Sequence, residues 1–202
     1  MKCQIVIAGV GGQGVLFGAK VLTELARRRG IPVLASENHG MSQRGGSVTS
    51  HLRIGDFQGP LVAEGDADLL LALDCLEAHR NLPFLRAANG RRGALCLVSA
   101  PSAAAFPDAR VAPTLQRMGV EIHSCAADSA ALEMGQPLAA NLVLLGFGAK
   151  LAAFPFSFDE LCEAVAALGS PNNRAANREA LVRGSRLPDL ACGNLAAPAN
   201  AM

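Results

Sequence analysis

One stretch constrains this chain more than any other. Ile5-Val6-Ile7-Ala8 is a short apolar run rich in β-branched residues, and Gly9, Gly11, Gly12 and Gly14 follow it within six positions. Val15 to Arg29 then carries Leu16, Ala19, Val21, Leu22, Leu25 and Ala26 near helical spacing. The pattern reads as a buried strand, a glycine turn and a helix. Gly9, Gly11 and Gly14 also satisfy the G-x-G-x-x-G spacing of a dinucleotide-binding loop. Without Cβ atoms, backbone N–H groups can approach a phosphate, and the helix N-terminus adds partial positive charge.

The remainder alternates between strands and helices. Arg27-Arg28-Arg29-Gly30 closes the first helix with cations and a C′ glycine, a capping pattern rather than a nucleic-acid patch. Pro32 to Glu37 reads as a second strand, with Glu37 where the ribose-binding acid of a dinucleotide fold would sit. Ser47 to Ile54 alternates with period two, so it reads as a half-buried strand, antiparallel or at a sheet edge. Val48, Ser50, Leu52 and Ile54 share its inner face, which leaves His51 on the surface. Ala67 to Asp74 is a continuous apolar run suited to a central parallel strand. Helices are expected over 75–87, 111–118, up to Met134, 137–154, 158–168 and 172–183, and further strands over 93–99 and 120–125. The expected fold is three-layer α/β/α, with a mostly parallel sheet, a Rossmann-like start and at least one antiparallel or edge strand. Residues 1–186 read as one domain and 187–202 as a loosely ordered tail.

Composition removes several function classes. The chain has 202 residues, half of them hydrophobic, with a net charge of +1 and no Trp or Tyr. That balance offers no basic footprint for nucleic acid, and the lack of Trp and Tyr argues against base stacking on aromatics as a main activity. No apolar stretch is long enough to span a bilayer, and the N-terminus lacks the apolar core of a signal peptide, so a cytoplasmic protein is expected. Cysteines stand at 3, 75, 96, 125, 162 and 192, with no CxxC. They read as free thiols of a reducing compartment, with no metal or iron–sulfur site in the chain.

The candidate site lies in two loops. The first is Gly9 to Gly14, including Gln13. The second, residues 38–47, carries His39, Gln43 and Arg44 with glycines at 40, 45 and 46. Donors and close-approach glycines together suit a binding loop, although a solvated loop with turn glycines explains the composition too. In a parallel sheet both loops leave the same carboxyl edge, which suggests one crevice for an anionic group. Asn141, in the apolar stretch 140–146, needs partners, by backbone bonding or by contact with a ligand. Neither a nucleophile elbow nor a paired-histidine metal motif is present, so the means for self-contained catalysis are thin. On spacing alone, a stand-alone NAD- or flavin-binding oxidoreductase using Gly9–Gly14 is one reading.

The combination of Gly9-Val10-Gly11-Gly12-Gln13-Gly14-Val15 with Glu37-Asn38-His39-Gly40-Met41-Ser42-Gln43-Arg44-Gly45-Gly46-Ser47-Val48 supports another. It resembles the 2-oxoacid:ferredoxin oxidoreductase family and, within it, the gamma-type domain. The His-Gly-Met-Ser-Gln-Arg-Gly-Gly-Ser run is most similar to the beta subunit of the indolepyruvate ferredoxin oxidoreductases. The similarity continues at Ala140 to Gly146 and, more faintly, at Asn172 to Gly184. The resemblance implies a subunit of a complex that decarboxylates a 2-oxoacid oxidatively, forms an acyl-CoA and passes electrons to ferredoxin. It implies a large alpha subunit carrying thiamine diphosphate and iron–sulfur clusters. This chain would complete the site and contact coenzyme A, with Gly11, Gly12, Gln13, Gly14, Arg44, Gly45 and Gly46 as the matching positions; Gly9, His39, Gln43 and Asn141 are further binding candidates from their place in the loops and the apolar stretch.

Overall fold

The computed structural model describes residues 1–39, 45–90, 92–102 and 105–191, and the backbone but not the side chain of His39. A six-stranded sheet runs in the order β2-β3-β1-β4-β5-β6. Its strands are β1 (Cys3–Val10), β2 (Val33–His39), β3 (Ser47–Ile54), β4 (Leu69–Ala72), β5 (Leu95–Ser99) and β6 (Glu121–Cys125). Only β3 runs against the others: it pairs antiparallel with both β1 and β2, while β1-β4-β5-β6 is a parallel run. The expected three-layer α/β/α fold is therefore present. The edge strands are β2 and β6, with β3 antiparallel but internal.

Strand alternation divides the core. Ile5, Ile7, Leu69, Leu71, Leu95 and Leu97 face one layer, while Val6, Ala8, Leu70, Ala72, Cys96 and Val98 face the other. Both faces are covered, which is why β4 is apolar throughout. The first layer holds α1 (Val15–Arg28), α4 (Ala127–Glu133), α5 (Ala140–Gly148), α6 (Phe158–Leu168) and α7 (Arg174–Arg186). The second holds the shorter α2 (Cys75–Arg80) and α3 (Val111–Arg117).

Two helices are shorter than their periodicity suggests. The segment expected as a helix over 75–87 stops at Arg80 and continues as a 3-10 turn, Leu82–Phe84. Pro83 lacks the N–H that another helical turn would need. The segment 137–154 begins as a 3-10 turn at Pro137–Ala139 and leaves the helix after Gly148. There the chain folds back until Phe154 lies against Gly148, where a Cβ would sit 2.9 Å from its ring.

His51 departs from the surface position expected of it. It is 8% exposed. Its Nδ1 accepts a hydrogen bond from Val62 N–H at 3.3 Å, and Phe84 meets its ring edge-on at 5.1 Å. Alternation within β3 identified the inner face but not the residues that cover the opposite one. α1 closes at the expected C′ glycine, left-handed Gly30, whose N–H donates to the Arg27 carbonyl at 3.0 Å, while Arg27 and Arg28 bind Glu24 and Arg29 binds Glu160. The five described cysteines are free thiols, and burial pushes Cys3, Cys96 and Cys125 up to about 12.

The described chain continues past α7 to Ala191. Leu190 N–H donates to the Ser124 carbonyl at 2.8 Å. Asp189 accepts from Ser124 N–H and Ala191 N–H, and pairs with His123 Nδ1 at 2.5 Å. The segment thereby covers part of the otherwise open β6 edge. Residues 192–202 lie outside the described residues.

Helices α5 and α7 cross at Gly146 and Gly184. A Cβ on Gly184 would collide with the Val143 carbonyl oxygen, and one on Gly146 with that of Leu181. Gly184→Ala should therefore cost about 3 kcal/mol and lower the midpoint of thermal unfolding by roughly 6–12 °C. A change under about 2 °C by circular dichroism would show that the helices can separate at little cost.

Burial holds the His51 imidazole below its ordinary pKa. On acidification the unfolded chain takes up this proton first, near pH 6.5, so the native state loses stability from there down to the folded pKa. His51→Gln should flatten the fall in unfolding free energy between about pH 7.5 and 5.5. Parallel profiles for variant and wild type would remove His51 as its source.

Candidate functional site

The glycine turn is fastened at several points. Gly9 ends the buried part of β1, and a Cβ there would lie 2.9 Å from Val15 Cγ2 and 3.1 Å from Leu73 Cβ. Gln13 spans the gap to the next strand. Its Oε1 accepts from Val10 N–H at 2.7 Å, and its Nε2 donates to the Leu73 carbonyl at 3.0 Å. The Gln13 side chain thus holds the β1 and β4 ends together. Gln13 N–H closes the turn onto the Val10 carbonyl at 3.0 Å.

Gly12 and Gly14 adopt left-handed backbone, with φ of 104° and 83°. Gly14 is the N-cap of α1, and a Cβ on it would collide with Asn141 Nδ2. Asn141 is 2% exposed at the start of α5. Its Nδ2 donates to the Gly14 carbonyl at 2.9 Å, and its Oδ1 accepts from Leu142 N–H at 2.7 Å. Backbone bonding therefore accounts for this buried amide. The N–H groups of Gly12 and Gly14 take no hydrogen bond among the described residues.

The two loops meet. The antiparallel β1–β3 ladder ends at the Val10–Ser47 pair. One residue beyond, Gly11 N–H donates to the Gly46 carbonyl at 2.8 Å. Gly45, with φ of 76°, lies immediately outside this contact. His39 ends β2 on the same edge of the sheet. Gln43 and Arg44 lie outside the described residues.

A cleft of about 630 Å³ opens beside the turn. Gly12, Gly14, Asn141, Phe17, Leu138 and Asn177 are among its lining residues. It is apolar with amides, and no charged side chain lines it among the described residues. Phe17, Leu138, Asn173 and Asn177 were not among the sequence candidates for binding. The i, i+4 spacing of Asn173 and Asn177 was visible, but only packing brings the start of α7 beside Gly14. No group of three or more His, Cys, Asp or Glu among the described residues could hold a metal ion.

The topology bears on the dinucleotide spacing. β3 lies between β1 and β2, and Glu37 pairs across from Ser50 of β3. Glu37 is thus two strand spacings from β1, roughly 10 Å, where a Rossmann acid would be one strand away. Gln13 also bridges the β1 and β4 ends beside the turn. Among the described residues, the site offers turn N–H groups without a partner and a neutral, amide-bearing cleft, and none of its side chains is placed as nucleophile or general base.

The profile of the pyruvate ferredoxin/flavodoxin oxidoreductase family matches residues 4–187. Indolepyruvate oxidoreductase subunit IorB of Archaeoglobus fulgidus is 36% identical over 171 residues, covering 82% of this chain and 85% of that protein. The gamma subunit of a keto/oxoacid ferredoxin oxidoreductase from Geobacter sulfurreducens superposes with a TM-score of 0.68 at 23% identity, covering 90% of this chain and 95% of that one. A 2-oxoglutarate:ferredoxin oxidoreductase from Magnetococcus marinus, solved with 2-oxoglutarate, coenzyme A and succinyl-CoA bound, gives 0.69 at 20% identity, covering 97% of this chain and 32% of that one. At these identities the two structures establish the shared fold.

Asn141→Ala removes both amide bonds from a buried position. The expected loss is about 2 kcal/mol, or roughly 4–8 °C in the unfolding midpoint. A midpoint within about 1 °C of wild type would show that the Asn141 clamp does not stabilise the turn.

Proposed function

We propose that this chain, which belongs to the pyruvate ferredoxin/flavodoxin oxidoreductase family, is the small subunit of an indolepyruvate-type ferredoxin oxidoreductase acting on an aryl 2-oxoacid. The observation that carries this reading is 36% identity, over most of both chains, to an indolepyruvate oxidoreductase subunit. The site itself fits a subordinate role, because its described side chains position backbone donors and supply no catalytic group. The chain is inactive alone and completes a site with a larger partner.

Of the groups implied by this reading, coenzyme A has a match in the residues present. Gly12 and Gly14 present N–H groups at the start of α1 that have no partner among the described residues, a suitable setting for phosphate oxygens. The neutral cleft with Asn141 and Asn177 on its wall suits the amide-bearing, uncharged arm of the same molecule. Gly9, Gln13 and Asn141 hold the turn in shape. His39, Gln43, Arg44, Gly45 and Gly46 contribute from the second loop, with Arg44 as the cation for phosphate or carboxylate. Thiamine diphosphate and iron–sulfur clusters reside in the large subunit, where they supply decarboxylation and electron transfer to ferredoxin.

The test is coexpression with a large subunit of this enzyme class. The expected outcome is a stable brown complex that oxidises aryl 2-oxoacids in a coenzyme A-dependent reaction, with ferredoxin or a dye as acceptor. This chain purified alone should be colourless and fail to bind NADH. Arg44→Ala should raise the KM for coenzyme A about tenfold while the subunit stays folded and assembled. A yellow isolated chain, or one binding NADH at micromolar concentration, would overturn the assignment in favour of a stand-alone redox enzyme.

A further inference from the structure

Glu77 is the most deeply buried carboxylate among the described residues, 2% exposed. An acid at the third position of a short surface helix ordinarily reaches water or its own helix start. This one turns inward. Asp74 caps α2, accepting from Leu76 N–H at 2.8 Å and Glu77 N–H at 3.0 Å, so α2 begins directly on the carboxyl end of β4. From there Glu77 Oε1 takes Arg80, and Oε2 accepts the Ser47 hydroxyl at 2.6 Å. A carboxylate withdrawn from water needs such partners, and breaking one side of the arrangement is costly.

Ser47 is the first residue of β3 and follows Gly46 directly. The Gly46 carbonyl accepts Gly11 N–H, and the left-handed Gly45 precedes it. Two successive glycines leave this carbonyl little conformational restraint of its own. The hydroxyl–carboxylate bond fixes the residue on its C-terminal side. We propose that Glu77 is a positioning residue: through Ser47 it holds the Gly46 carbonyl against Gly11 N–H, and so sets the direction of the N–H groups of Gly12 and Gly14. The consequence for coenzyme A rests on the function proposed above, whereas the restraint on the turn does not.

The experiment compares wild type, Ser47→Ala, Ser47→Thr and Glu77→Gln in the assembled complex. Hydrogen exchange of the peptide covering residues 9–15 is read by mass spectrometry, alongside KM and kcat. Loss of the bond in Ser47→Ala should speed exchange in that peptide about fivefold, with a similar rise in KM for coenzyme A and kcat within about twofold. Ser47→Thr keeps the hydroxyl and should behave as wild type, which a general packing defect would not predict. Should Glu77→Gln fail to assemble, the Ser47→Ala and Ser47→Thr pair still decides. Unchanged exchange in Ser47→Ala, or equal changes in both Ser47 variants, would overturn the inference. Faster exchange in Ser47→Ala alone, with KM for coenzyme A unmoved there and in Gly12→Asp, would support the positioning role while removing coenzyme A from this turn.

Discussion

The antiparallel ladder between β1 and β3 is the contact on which the site depends. β3 runs against its neighbours, so it begins where β1 ends, and their last pair is Val10 with Ser47. The glycine turn leaving β1 and the glycine pair entering β3 are therefore neighbours by register. The Gly11–Gly46 hydrogen bond continues the ladder one step beyond the strands. If β2 lay directly beside β1, as in an uninterrupted β-α-β unit, the second loop would have no such anchor and Glu37 would sit next to the glycine turn.

Around that seam, polar side chains perform restraint rather than chemistry. Gln13 joins the β1 and β4 ends, Asn141 fixes the N-cap of α1, and Asp74 and Glu77 tie α2 to the same edge. Each spends its hydrogen-bonding capacity inside the protein. The turn N–H groups of Gly12 and Gly14 take no hydrogen bond among the described residues. Backbone donors held this way are fixed in direction and need little reorganisation to meet an acceptor.

The cleft depends equally on close helix packing. Gly146 and Gly184 let α5 and α7 approach until backbone meets backbone. That contact carries the start of α7, with Asn173 and Asn177, to the wall facing Gly12 and Gly14. A larger side chain at either crossing would move that wall without touching the glycine turn itself.

The sequence by itself determined the local elements and much of the candidate turn. The β-branched run, the glycine spacing, the helical period of α1 and the two-sided apolar strands each depend on near neighbours, so they are legible in order along the chain. Gly9 and Gly14 were marked as glycines of a phosphate-approaching turn, and Asn141 as a buried amide needing partners. Tertiary structure alone decided what those positions meet. Gly14 opposes Asn141 across 127 residues, Gln13 reaches Leu73, and His51 is covered by Val62 and Phe84 rather than solvated. It also decided the position of β3, which separates Glu37 from the turn and joins the two glycine loops. These are long-range pairings, fixed by register and by the packing of whole layers, and a periodic pattern records which face of an element is apolar but not which partner covers it.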